Sequence, residues 1–370
     1  MKQTVMEYVN AMTDGGAQTL IRDYALLLDK DQFDVCILVN RPYGDAANLR
    51  KVQDAGIPVL YIYPRWNLAV RVFNKLFGKV YRPYRVLKTV RKTGASVIHI
   101  HLEQLKNVAP IGRYLKNVRL LYTCHSLPEY MFGESDSPEF RAAQKLLKHN
   151  DLQLIALHEQ MRREMNKMFG IENTAIIHNG VQVERFAQVG ESAVQIRRAE
   201  GIPEDAFLLG HIGRFSEEKN HEFLIKIFQS VLKRKDNAFL LLVGKGDLEE
   251  QIKEQIREAG LQDKILMLSG RSDIPRLMKA MDVFVMPSHY EGLPVTLIEA
   301  QAAGLRCVVS DVVNPEAFRR DLVVPMNLSA GADAWAETIL DASVRGPRNP
   351  GLDEYDMIKE IKNLEKLYKE

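Results

Sequence analysis

Short apolar runs separated by helix-length amphipathic segments recur along almost the whole chain, and this alternation restricts the fold more than any other feature. Runs at 4–11, 33–39, 59–63, 97–101, 119–124 and 151–158 read as strands, and a second series follows at 207–212, 238–243, 264–268 and 283–286. Strand–helix–strand repetition closes most simply as a parallel sheet with helices on its faces. At 370 residues the chain is long for one core of this kind, so two Rossmann-like α/β domains are expected. Asn179-Gly180 is a turn pair whose chemistry suits a hinge, and it separates the two series.

Doubly wound sheets take ligands at the carboxyl ends of their strands, which is where chemistry is to be sought. The stretch Met281–Asp311 offers the most. A strand ends at Pro287-Ser288, a loop carries Glu291, Gly292 and Leu293, and a helix opens at Pro294, a residue suited to a first helical position. Unpaired backbone N–H groups at Val295 and Thr296, with the positive end of the helix dipole, await an anion such as phosphate. Glu291 and Glu299 flank that opening. Carboxylates beside a phosphate make sense if they grip sugar or ribose hydroxyls; the alternative for Glu299 is a solvated helix residue.

Upstream, the strand 207–212 runs into Gly213-Arg214-Phe215-Ser216-Glu217-Glu218-Lys219. A planar guanidinium and a point-charge ammonium flanking a helix start can neutralise a diphosphate from two sides. Gly244 ends the next strand, and Arg271 follows the one after.

In the first series, Gly15 and Gly16 follow the first strand and permit close backbone approach to a ligand, although the full dinucleotide fingerprint G-x-G-x-x-G is absent. A tight strand–helix turn is the plain alternative. His99 and His101 lie two apart on one strand face, His101 at its carboxyl end where it could meet an acceptor and His99 further in. No further ligand stands at zinc spacing, so no metal site is expected there. His125 enters a loop after the next strand. Asp29-Lys30-Asp31 has the D-x-D form of a metal signature but closes a helix, and reads as a solvated turn.

Residues 65–92 break the alternation. Nine Lys or Arg meet no acidic residue there, while Trp66, Val70, Phe73, Leu76 and Phe77 recur at helical spacing. Such a segment is either a lid on an anionic membrane surface or a helix packed on the sheet with a solvated basic edge. The net charge of +2 conceals an asymmetry: 25 Lys+Arg against 17 Asp+Glu up to His178, then 25 against 31. A net charge near zero and no recognised binding motif exclude a nucleic-acid partner. No apolar run approaches the length of a membrane span, and the amino terminus leads directly into a strand, so a cytoplasmic protein is expected, peripheral on the inner face of the plasma membrane if the basic segment docks there. Cys36, Cys124 and Cys307 form neither a disulfide framework nor a metal spacing.

The order of these blocks, with Glu291, seven residues, Glu299, then EAQAAG and Ser310-Asp311, resembles glycosyltransferase family 4, the retaining GT-B transferases, over nearly the whole chain. The resemblance implies domains at 1–178 and 179–350 facing across a cleft, the first binding the acceptor and the second a nucleotide sugar, and a helix at 351–370 crossing back to the first domain. It implies Glu291, His125, Arg214 and Lys219 as catalytic residues, and Gly15, Gly16, Gly213, Gly244, Arg271, Gly292, Leu293, Pro294, Val295, Thr296 and Glu299 around the donor. The donor would be a UDP-sugar and transfer metal-independent and without cofactor, the acceptor a glycan or lipid-linked glycan of bacterial exopolysaccharide or capsule synthesis. Leu293-Pro294 and Arg306 depart from the commonest family pattern, as does His158 where the family often has Ser. A sugar-nucleotide 2-epimerase of the same fold, or a non-catalytic membrane-associated relic, would share the nucleotide grip.

Overall fold

The computed structural model describes residues 2–44, 46–133, 136–291, 293–319, 321–341 and 352–370. Gly292 and the 350/351 division expected from sequence lie outside them. The chain divides into two compact units, Met1–Asn179 with Ile358–Glu370, and Gly180–Met357.

The first unit holds seven strands: β1 (Gln3–Val9), β2 (Phe33–Val39), β3 (Val59–Tyr61), β4 (Val97–His101), β5 (Arg119–Thr123), β6 (Gln153–Ala156) and β7 (Ala175–Ile176). All pair in parallel, in the order β3-β2-β1-β4-β5-β6-β7. Val5, Met6, Val9, Ile98, Ile100 and Leu121 are fully buried, as strands covered on both faces require. Helix α1 (Gly16–Leu27) follows β1.

Residues 65–92 form the long helix α2 (Leu68–Thr93), opened by Asn67, whose side chain accepts from Val70 N–H, and closed at Gly94 with φ of 68°. Its inner side is tied down by Arg85, which donates to Tyr81 Oη and to the carbonyl of Tyr61 at the end of β3. Its outer side is apolar to an unusual degree: Leu68, Val72, Leu76, Val80 and Tyr84, four residues apart, are all more than half exposed. Spacing of four runs along one ridge of a helix, so these side chains form a continuous crest.

The second unit holds β8 (Phe207–Ile212), β9 (Ala238–Val243), β10 (Ile265–Leu268), β11 (Val283–Met286), β12 (Arg306–Ser310) and β13 (Val323–Met326), parallel in the order β10-β9-β8-β11-β12-β13. Helix α3 (His221–Leu232) follows β8, and α4 (Val295–Ala302) follows β11. One core unites Leu209, Leu240, Val285, Phe228 and Trp335, all fully buried; each such side chain contributes about 1.5–3 kcal/mol of transfer free energy. Asp282 sets the register of β11 on β8: its Oδ2 accepts from Leu208 N–H (2.7 Å) and Arg197 Nη2 (2.8 Å), and its N–H donates to Leu208 O (2.8 Å).

The two segments by which the chain passes between units lie side by side. Val181 N–H donates to Tyr355 O (2.7 Å) and Met357 N–H to Val181 O (3.1 Å). A Cβ on Gly180 would stand 2.6 Å from Met357 Cα, so glycine is needed for this approach. Beyond it, α5 (Met357–Lys369) packs on the first sheet: Asp29 N–H donates to Glu365 Oε1 and His178 N–H to Glu360 Oε2.

Candidate functional site

In both sheets the strand order reverses once, between β1 and β4 and between β8 and β11. Loops leaving the carboxyl ends of such a pair turn to opposite faces and open a crevice between them. Gly15 and Gly16 after β1, Arg214 and Lys219 after β8 and Glu291 after β11 sit at these switch points, whereas His125, Gly244 and Arg271 follow the neighbouring strands β5, β9 and β10.

In the second unit the loops after β8 and β9 lie flush. Gly213 N–H donates to Val243 O and Phe215 N–H to Lys245 O. A Cβ on Gly244 would fall 1.9 Å from Gly213 O, and one on Gly246 would fall 2.2 Å from Phe215 O, so only glycine fits either place. The β8 loop is also joined to the β11 loop, because His289 N–H donates to Glu218 O (2.8 Å) and Asn220 Nδ2 to Pro287 O (3.1 Å). That joining brings Lys219 to Glu291: Nζ stands 2.5 Å from Oε1, with the two side chains only 15% and 9% exposed. Ser288 Oγ donates to the same carboxylate oxygen (2.7 Å), and Ser310 Oγ holds the carbonyl of Ser288 (2.6 Å). Sequence reasoning treated Lys219 and Glu291 as separate grips; the structure makes them one ion pair, 72 positions apart along the chain.

Helix α4 begins beside this pair. Its N-cap is Pro294, which makes no side-chain capping hydrogen bond, and Val295 and Thr296 are partly exposed, leaving first-turn N–H groups open to an anion. Leu293 is buried beneath the loop, and Glu299 lies partly exposed on the second turn. Gly213 is partly exposed, and Arg214 is exposed with its guanidinium making no hydrogen bond or ion pair among the described residues. Arg271 carries a structural role that the sequence does not show: its N–H groups donate to Glu200 (2.7 and 2.9 Å) and Asp273 (2.8 and 2.6 Å), which commits the edge of the guanidinium to a clamp and leaves only its flat faces for a ligand.

In the first unit, Gly15 is the N-cap of α1, in extended conformation, and Gly16 begins the helix with open space around it. His125 is partly exposed at the end of β5. His101, expected at the acceptor, is corrected: its ring is fully buried, Nε2 lies 2.6 Å from Glu7 Oε2, and Nδ1 lies 2.8 Å from His125 Nε2. Both nitrogens are engaged, so His101 touches no acceptor. His99 is buried as expected, with Nδ1 2.7 Å from Tyr368 Oη and Nε2 2.7 Å from Thr123 Oγ1. His158 caps the helix that begins at Glu159, accepting from Met161 N–H.

Glu7 was missed. The register pairs it with His99, which places the carboxylate on the same sheet face as both histidines. A signal existed: an acid within an apolar strand of a parallel sheet must find a buried partner. Glu7, His99 and His101 have ligand-type atoms within 4.8 Å of one another, a trio that could hold a metal ion. The 2.6 Å Glu7–His101 contact is a hydrogen bond, shorter than two ligands of one ion stand apart, and Tyr368 Oη donates to Glu7 Oε1 (3.0 Å). Burial alone would raise the Glu7 carboxyl, yet the His99 and His101 contacts hold it down at about 2. Burial, aided by His99, lowers His101 to about 4. Asp29 of the D-x-D is a turn residue whose Oδ1 accepts from Asp31 N–H.

The family profile described as "Glycosyltransferase Family 4" matches residues 14–185, and that of "Glycosyl transferases group 1" matches residues 193–340. A "Putative glycosyltransferase EpsF" of Bacillus subtilis is 30% identical over 353 residues, 93% of this chain and 89% of that protein. The "UDP-Gal:alpha-D-GlcNAc-diphosphoundecaprenol alpha-1,3-galactosyltransferase" of Escherichia coli is 23% identical over 76% of this chain and 77% of its own length. Among solved structures, Anabaena Alr3699/HepE "in complex with UDP and glucose" superposes with a TM-score of 0.78 over 98% of both chains at 18% identity, which places the fold as GT-B.

Proposed function

The chain belongs to glycosyltransferase family 4, and from that premise we propose that it transfers a sugar, with retention and without a metal, from a UDP-sugar to a lipid-linked glycan in bacterial surface-polysaccharide synthesis. One observation carries the donor half: Lys219, Glu291 and the uncapped start of α4 converge at the β8/β11 switch point. A diphosphate leaving group gains negative charge as the glycosidic bond breaks, and preorganised donors aimed at that charge lower the barrier. Lys219, the exposed Arg214 and the first-turn amides of Val295 and Thr296 supply them. Glu291 and Glu299 take sugar and ribose hydroxyls. The acceptor oxygen attacks the anomeric carbon on the face the diphosphate leaves, and its proton passes to the departing phosphate oxygen.

The UDP-sugar and the lipid-linked acceptor are supported by the names of the Anabaena and Escherichia coli relatives. The reading is tested by calorimetric titration with UDP and UDP-sugars, followed by transfer to a sugar–diphosphate–polyprenol. Micromolar binding of UDP and product formation are expected; no heat with any nucleotide diphosphate would sink it.

An acceptor of that kind sits in a membrane, and α2 suits an anionic lipid surface. No helix among the described residues is long and apolar enough to cross a membrane. The crest of α2 instead carries Leu68, Leu76 and Val80 at 74%, 68% and 76% exposure, with Arg71, Lys75 and Lys79 exposed along the same helix. A cavity of about 440 Å³ opens beside it, lined by Ile62, Tyr63, Pro64, Arg65, Val70, Phe73 and Tyr81. Each basic side chain near an anionic surface contributes about 1 kcal/mol. The triple variant Arg71→Glu, Lys75→Glu, Lys79→Glu is expected to stay in the supernatant when the wild type sediments with phosphatidylglycerol vesicles. Equal sedimentation would remove the membrane assignment.

A further inference from the structure

The buried hydrogen-bond chain behind His125 runs Tyr368–Glu7–His101–His125, with successive contacts of 3.0, 2.6 and 2.8 Å. We propose that Glu7 and His101 are positioning residues that keep the proton of His125 on Nε2, so that its Nδ1 lone pair accepts a hydrogen bond from a carbohydrate hydroxyl.

The assignment follows from counting protons. Glu7 is fully buried and, held down at about 2, ionised; Tyr368 Oη donates to its Oε1, His101 Nε2 lies 2.6 Å and His99 Nδ1 3.4 Å from its Oε2. An ionised carboxylate is an acceptor only. His101 therefore carries its hydrogen on Nε2, and because burial and His99 lower the ring to about 4 it is neutral at pH 7, with a bare lone pair on Nδ1. The 2.8 Å contact from Nδ1 to His125 Nε2 then needs a hydrogen from His125, which puts that ring's hydrogen on Nε2. His125 Nδ1 is left unprotonated, with no partner among the described residues, on a ring that is partly exposed at the carboxyl end of β5. The remaining protons fit the same arrangement. Tyr368 gives its hydroxyl hydrogen to Glu7, so the 2.7 Å contact with His99 is a donation from His99 Nδ1, and His99 Nε2 accepts from Thr123 Oγ1.

The other titratable groups packed around the chain are Tyr24, stacked on His99, and Cys36 on β2; burial pushes the Tyr24 hydroxyl far above its ordinary value and the Cys36 thiol up to about 12. Neither competes for the protons at neutral pH. The fourth member, Tyr368, comes from the last turn of α5, so the carboxyl-terminal helix completes the device.

The assignment of a carbohydrate hydroxyl rests on the glycosyltransferase reading; the tautomer does not, and the two are tested separately. Long-range ¹H–¹⁵N spectra of ¹⁵N-histidine-labelled protein are expected to show His101 and His125 neutral, both with hydrogen on Nε2, from pH 8 to pH 5. Hydrogen on Nδ1 of either ring, or a cationic His125 at pH 7, would overturn the proposal, as would a stoichiometric metal that survives chelation. For Glu7→Gln, whose amide can donate to His101 Nε2 and reverse the chain, a second His125 tautomer is expected, with kcat reduced about tenfold and the KM for nucleotide sugar unchanged. A thermal melt and a far-UV circular dichroism spectrum of Glu7→Gln that match the wild type serve as the folding control. A Glu7→Gln protein with wild-type kcat and unaltered His125 signals would refute the positioning role. A wild type that shows the stated tautomers but transfers no sugar would refute the glycosyltransferase reading alone.

Discussion

Glu291→Gln is expected to lower sugar transfer by roughly 10²–10³-fold while leaving the dissociation constant for UDP within about threefold of wild type. The basis is the pairing of Glu291 with Lys219 at 2.5 Å. In the structure the carboxylate neutralises the ammonium that a diphosphate would otherwise meet. Replacing it with an isosteric amide keeps the hydrogen bond from Ser288 Oγ, 2.7 Å away, and leaves Lys219 more available to phosphate. What the amide cannot do is accept two hydroxyl hydrogens with a full negative charge. Lys219→Met has the opposite signature: it removes a charge-assisted contact worth about 1.5–3 kcal/mol, so UDP binds roughly 10- to 150-fold more weakly. It also leaves Glu291, 9% exposed, without its cation, at a cost of several kcal/mol in stability. Calorimetric titration with UDP, transfer assays and thermal melts on both variants check the asymmetry. Wild-type transfer by Glu291→Gln, or wild-type UDP affinity in Lys219→Met, would break the site assignment.

The fold was legible because its signal is local. Strands such as Val283–Met286 announce themselves by four consecutive apolar residues, and the start of α4 by a proline after a glycine-containing loop. Motif order put Lys219 and Glu291 in one site, and the structure brings these two together as an ion pair. What escaped were partnerships set by strand register and strand order, which no short window contains. Glu7 and His99 are 92 positions apart and become neighbours only because β1 lies next to β4. His101 looked like a ligand contact because it ends its strand; the sheet continues on either side with β1 and β5, and Glu7 and His125 close over both nitrogens. Arg271 is paired with Glu200, 71 positions earlier, by a turn whose approach has no sequence signature. The membrane reading of residues 65–92 differs again. Composition gave the charge, while the structure added the exposure of Leu68, Leu76 and Val80 along one ridge of the helix.

Acidification should destabilise both units well before their carboxylates titrate. Burial lowers His101 to about 4 in the first unit, and burial with the nearby Lys219 lowers His221 to about 4 in the second. In the unfolded chain these rings titrate near 6.5, so as pH falls below that value the unfolded state takes up protons that the native state refuses. Stability is therefore full above pH 6.5 and declines between 6.5 and 4. The slope is about 1.4 kcal/mol per pH unit for each group, which amounts to about 2 kcal/mol per group at pH 5. His125 and His211, also lowered chiefly by burial, act in the same direction. Against a total of about 5–15 kcal/mol for a folded domain, that loss is large. Below pH 4.5 carboxylates add to the loss in both units: Glu7, held at about 2, gives the first unit a contribution that is present above 4.5 and lost as pH falls through 2, and Glu200 and Asp273, held low by hydrogen bonds from Arg271, act in the same direction in the second. Urea unfolding followed separately by the Trp66 and Trp335 fluorescence signals, one in each unit, is the measurement. His221→Phe should flatten the second unit's slope between pH 6.5 and 4 by about one proton and leave the first unit's unchanged. Unfolding midpoints that stay constant from pH 7.5 to 5 would mean that these rings are already charged, or hydrated, in the native state.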